Sequence, residues 1–153
     1  MAFPSELLQA FSEPIQGLRE VGHHFWTRGW SLGTSSNYSV VIDREPLRLL
    51  ITASGKDKGH LGPNDFVIVD ETGQRVPTEQ PASSAETLLH CSAAKHRGAG
   101  AILHTHSVWA TILLRETALV SQIPIAHDCK CECRRFVRSN TFVGKGPGGW
   151  CTQ

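Results

Sequence analysis

Two short runs rich in aliphatic residues, 38–42 and 47–52, are separated only by Asp43-Arg44-Glu45-Pro46. A parallel pair needs a crossover of a dozen or more residues, so this connection predicts an antiparallel hairpin. Phe66-Val67-Ile68-Val69-Asp70 reads as a third strand, closed by Glu71-Thr72-Gly73. Ser83-Ser84-Ala85-Glu86 has capping-box spacing and predicts a helix running to about Arg97, where Gly98-Ala99-Gly100 stops it. Ser12-Glu13-Pro14 marks an earlier helix start, followed at helical spacing by Ile15, Leu18, Gly22 and Phe25. The stretch 101–106 reads as a short, largely buried strand, and Ser107 can cap a helix carrying Trp109, Ile112 and Leu113. Helices alternating with strands around a hairpin predict an α/β architecture in which helices pack on a layered sheet.

The length of 153 residues suits one domain. Fifteen basic and fourteen acidic residues leave a formal charge of +1, which supplies no electrostatic footprint for a polyanion, so no nucleic-acid partner is expected. The sequence contains no apolar run of about 18 residues and no signal-peptide pattern at Met1-Ala2-Phe3-Pro4, so no membrane partner and a cytoplasmic location are expected. Cys129, Cys131, Cys133 and Cys151 crowd into the last stretch, and a total of five cysteines argues against a closed disulfide framework. The expected division is therefore a folded part, 1–126, and an atypical Cys/Gly-rich tail, 127–153, that is poorly ordered.

His104-Thr105-His106 carries the sharpest chemical signal. Side chains at i and i+2 of a strand share a face, about 6.5–7 Å apart along the chain, so two imidazoles can converge on one metal ion. A hydrogen-bonded histidine pair is the structural alternative; the polar end of an apolar strand is where α/β sheets place their sites. Gly33-Thr34-Ser35-Ser36-Asn37-Tyr38-Ser39 and Thr52-Ala53-Ser54-Gly55-Lys56-Asp57-Lys58 combine backbone donors, hydroxyls and lysines. Together they could cradle a small anion such as a phosphate monoester, although each alone reads as an ordinary turn. Glu86 is either a general acid/base or the N3 acid of the capping box. His90 and His96 read as surface or packing residues, and Trp26, Trp30 and Trp109 as core aromatics. Cys129-Lys130-Cys131-Glu132-Cys133 lacks the usual Cys-x-x-Cys knuckle spacing of a structural zinc site.

These residues together resemble the class II aldolase/adducin family of zinc-dependent sugar-phosphate lyases, from about Phe11 to Ile125. Phe25-Trp26-Thr27-Arg28-Gly29-Trp30, the Gly33 loop and Gly98-Ala99-Gly100-Ala101-Ile102-Leu103-His104-Thr105-His106-Ser107 look most like the methylthioribulose-1-phosphate dehydratase branch. The resemblance implies a three-layer α/β/α sandwich with a mainly antiparallel central sheet, commonly assembled as a homo-tetramer. It implies one zinc ion per subunit, with His104 and His106 as two of three zinc histidines. Asn37, Ser39, Thr52, Ser54 and Gly55 fall in the regions that line the phosphate of a small phosphorylated ketose, with Lys58 as an addition. Glu86 matches the catalytic glutamate of the family's aldolases, whereas the dehydratase branch tends to carry its catalytic glutamate after the His-x-His helix.

The implied activity is zinc-dependent dehydration of 5-methylthioribulose 1-phosphate to 2,3-diketo-5-methylthiopentyl 1-phosphate in methionine salvage. The alternatives are a sugar-phosphate aldolase or epimerase of the same family, or an inactive remnant. Family members continue with strands that supply the third zinc histidine, whereas here Ile125-Ala126-His127-Asp128-Cys129 leads into the tail. The expectation is a chain whose C-terminal part is missing or replaced, with His127 a poor substitute ligand and little or no dehydratase activity.

Overall fold

The computed structural model describes residues 9–109, 112 and 141–144. The chain order is α1 (Ser12–Thr27), β1 (Asn37–Arg44), β2 (Leu47–Thr52), β3 (Phe66–Asp70), α2 (Thr87–Arg97), β4 (Ala101–His104) and β5 (Thr141–Gly144). The strands form one sheet in the order β3-β2-β1-β4-β5, and every neighbouring pair is antiparallel.

Strand periodicity builds the two cores. On one face Leu49 and Ile51 of β2, Val67 and Val69 of β3 and Ile102 of β4 pack against Cys91 and Ala94 of α2. On the other, Tyr38, Leu50, Phe66, Ile68 and Leu103 pack against Ile15 and Leu18 of α1. Helix, sheet and helix thus make three layers, as expected. The middle of β2 is apolar without alternation, Leu49-Leu50-Ile51, because both of its faces are covered. Gly22 lets α1 approach closely: a Cβ there would lie 2.8 Å from the Lys58 carbonyl oxygen and 3.1 Å from the Tyr38 ring.

Several local expectations are corrected. The capping box does not form, because α2 begins at Thr87 and Glu86 is its N-cap residue without a capping side chain. The Ser84 carbonyl instead accepts from the Thr87 N–H and hydroxyl, while the Glu86 N–H reaches the Ser84 hydroxyl at 3.3 Å. Gly98 closes α2 in the left-handed conformation, at φ 63°. Helix α1 likewise starts without a side-chain cap, after Phe11. Strand β4 ends at His104, so His106 lies beyond the ladder rather than within it.

No element was legible in the sequence after residue 127, yet Thr141–Gly144 pair with β4, from His104↔Thr141 to Ala101↔Gly144. The remainder of 127–153, the expected tail boundary, His127 and the tail cysteines lie outside the described residues, as does Leu113. Trp26 and Trp30 are partly buried, but Trp109 is 73% exposed and is no core aromatic.

Candidate metal centre and anion loops

The register of the sheet creates the site. Asn37 lies opposite His104 across β1 and β4, and cross-strand partners share one face of a sheet. Ser39, two residues along β1, belongs to the same face, which α2 covers with Cys91 and Ala94. The His104 imidazole is buried there, and the exposed His106 turns back toward it from beyond the strand end. The His106 N–H, donated to the Trp30 carbonyl at 3.2 Å, fixes the backbone at that turn.

The two Nε2 atoms are 3.1 Å apart, and Glu86 Oε1 sits 3.2 Å from that of His104 and 3.7 Å from that of His106. Glu86 is free to face them because it is not spent on capping α2. Zinc bonds to nitrogen and oxygen are about 2.0–2.1 Å long, which puts the ligand atoms of a tetrahedral ion about 3.3–3.4 Å apart. The triangle formed by the two nitrogens and the oxygen has sides of that size, so the donor set fits such an ion. Burial holds the His104 imidazole below its ordinary pKa; Glu86 opposes this and His106 adds to it. A neutral imidazole is the form that binds a metal. Among the described residues this is the one group of three or more His, Cys, Asp or Glu side chains close enough to hold a metal ion.

Behind Glu86 lies a buried polar chain that the sequence reading missed. Asn37 Nδ2 donates to Glu86 Oε2 at 2.5 Å and to Ser84 Oγ at 2.8 Å. Asn37 Oδ1 is 2.5 Å from His90 Nε2, and His90 Nδ1 is 2.6 Å from Ser39 Oγ. His90 is therefore neither a surface nor a purely packing residue, as it is fully buried and hydrogen-bonded at both ring nitrogens. Its spacing of four from Glu86, one helical turn, was the available signal. His96 is exposed, as expected.

The two glycine- and serine-rich loops are joined by Lys58. Its backbone N–H donates to Gly33 O at 3.1 Å, and its Nζ donates to Thr34 O at 3.2 Å and Lys56 O at 2.6 Å. The residue is 2% exposed, and burial lowers its pKa to about 8. The expected cradle thus has its two walls together, but the ammonium is turned onto backbone carbonyls. Thr52 is buried with its hydroxyl accepting the Tyr38 N–H at 3.2 Å, and Ser39 is buried against His90. Ser54 and Gly55 are exposed at the end of β2, with Gly55 at φ 71°. Of the six residues expected around phosphate, Ser54 and Gly55 offer open surface, while the polar side-chain atoms of Asn37, Ser39, Thr52 and Lys58 are engaged within the protein.

Residues 16–136 match the model of the class II aldolase and adducin N-terminal domain. The chain is 46% identical over 106 residues to a methylthioribulose-1-phosphate dehydratase of Marinobacter nauticus, covering 69% of this chain and 50% of that protein. It is 49% identical over 105 residues to the enzyme of the same name from Pseudomonas syringae pv. tomato, covering 67% and 50%. The chain therefore spans about half the length of these curated relatives. Among solved structures it is similar to an L-fuculose-1-phosphate aldolase from Thermus thermophilus, with a TM-score of 0.55 and 30% identity over 64% of this chain and 48% of that one.

Proposed function

Because the chain belongs to the class II aldolase and adducin family, we propose that it carries the metal-binding and phosphate-binding elements of a zinc-dependent lyase acting on 5-methylthioribulose 1-phosphate in methionine salvage. The observation that carries this reading is the convergence of Glu86, His104 and His106, together with the likeness to dehydratases named for that substrate. The two imidazoles and the Glu86 carboxylate would hold zinc, which supplies Lewis-acid polarisation of the ketose oxygens.

The protein's own groups account for the remaining requirements. Ser54 offers a hydroxyl and Gly55 a backbone N–H suited to a phosphate, while the Ser54 N–H is donated to the Ala82 carbonyl, and Lys58 holds their loop against the Gly33 loop. Ser39 and Thr52 frame the cradle from within the sheet, and Asn37 carries it toward Glu86. Glu86 is the carboxylate grouped with the imidazoles among the described residues, and once the ketose oxygens take its place its freed carboxylate is assigned to take the C3 proton. The C4 hydroxyl then leaves as water, and the resulting enol tautomerises to 2,3-diketo-5-methylthiopentyl 1-phosphate. A homo-oligomer is part of the proposal, as in the family.

Retro-aldol cleavage of a related sugar phosphate is the second reading, favoured by the similarity to L-fuculose-1-phosphate aldolase. Product analysis separates the two. Against the expectation of little or no dehydratase activity drawn from the sequence, any turnover of 5-methylthioribulose 1-phosphate by the full chain with zinc should yield the diketone and water, and Glu86→Gln should abolish it. Release of a shorter carbonyl fragment would favour the aldolase reading, and no turnover at any zinc concentration would reject an enzymatic role for this chain.

A further inference from the structure

We propose that His90 is a positioning residue: it fixes which end of the Asn37 amide faces Glu86, and through that amide holds the carboxylate toward His104 and His106. The purpose of this arrangement rests on the metal-centre reading above, whereas its geometry does not. An amide carbonyl oxygen only accepts hydrogen bonds, so the 2.5 Å contact from His90 to Asn37 Oδ1 requires the imidazole proton on Nε2. A neutral imidazole has one N–H, so Nδ1 must accept from the Ser39 hydroxyl at 2.6 Å. With its oxygen engaged by His90, the Asn37 amide turns its NH2 to the Ser84 hydroxyl and Glu86 Oε2.

Every donor then points the same way, from Ser39 through His90 and Asn37 to Glu86. The reversed amide would set a carbonyl oxygen against a carboxylate oxygen, so only one direction is stable. Complete burial of the ring favours the neutral form that this direction needs. The outcome is that Oε2 of Glu86 is held by Asn37 while Oε1 is presented to the two imidazoles. Asn37 is also the cross-strand partner of His104, so one pair of facing residues sets both a carboxylate and an imidazole. Groups that orient metal ligands in this way typically matter about 10–100-fold for metal affinity.

The test has two arms on the full chain. In the metal-free protein, nitrogen-15 NMR of the imidazoles should show His90 protonated at Nε2 and bare at Nδ1; the opposite tautomer or an imidazolium would overturn the proposal. In the second arm, cobalt(II) alone is titrated and its visible absorption gives the affinity, with melting temperature recorded beside it. His90→Leu should weaken cobalt binding about 10–100-fold, while His90→Gln, whose amide reaches the position of Nε2 and can donate to Asn37, should remain within about threefold of the original. Equal losses in both variants would mean that His90 only packs, and would also overturn it. Cobalt binding indifferent to Glu86→Gln would reject the metal reading instead, and the relay would then be decided by the tautomer measured without metal.

Discussion

At the scale of single residues, the site depends on groups whose ordinary surface chemistry has been removed by burial. His90 is the clearest case, because desolvation lowers its pKa to about 3. An unfolded chain's histidine takes up its proton near pH 6.5, so between about pH 6.5 and 3 the unfolded state binds more protons than the native one. Stability therefore falls as pH drops through that window. His90→Gln should flatten this part of a pH–stability curve measured by urea unfolding; an unchanged slope would mean that other groups set it. Lys58 gives the same case at higher pH, since its native pKa of about 8 lies below the unfolded value near 10.4. Its contribution makes stability rise between those two values, and Lys58→Met should remove that rise. Ser54 tests the anion loop: Ser54→Ala should weaken binding of a phosphorylated ketose by about tenfold and hardly affect its unphosphorylated form, because a hydrogen bond to a charged group contributes about 1.5–3 kcal/mol. Equal losses in calorimetric titration would make Ser54 a structural residue only.

At the scale of elements, the buried strands set the stability and the register sets the chemistry. Leu50 is fully buried in β2 between strands on both sides, so Leu50→Ala should cost about 2–5 kcal/mol in denaturant unfolding. Strands β1 to β3 were legible because hydrophobic runs and turn residues mark them locally. The start of α2 was misread because capping-box spacing recurs by chance, whereas the Ser84 carbonyl and hydroxyl supply the actual end contacts. Glu86 and the two histidines were each visible in sequence, but their meeting depends on where α2 lies over the sheet. His90 was not legible as part of the site, since its partners are Asn37 and Ser39 of a strand about fifty residues earlier. Strand β5 was missed for a related reason: Thr141, Phe142 and Val143 suit a strand, but a run of three before Gly144 is too short to show a period, and the strand is defined by its pairing with β4.

At the scale of the whole molecule, the described residues already make one antiparallel sheet with a helix on each face, and the group of Glu86, His104 and His106 lies where β4 meets the start of α2. Residues 141–144 extend that sheet beyond β4, so replacing both Phe142 and Val143 with proline, which cannot donate to the ladder, should lower the melting temperature. An unchanged melting temperature would mean that this pairing adds nothing to the fold. His104, His106 and Glu86 are the proposed metal centre, and zinc content with competitive zinc titration tests that assignment. The full chain should bind about one zinc ion, as a single tetrahedral centre requires. His104→Ala, His106→Ala and Glu86→Gln should each weaken that binding, and replacing Cys129, Cys131 and Cys133 together with serine should leave it intact. Zinc kept by all three site variants and lost with the cysteines would contradict the account.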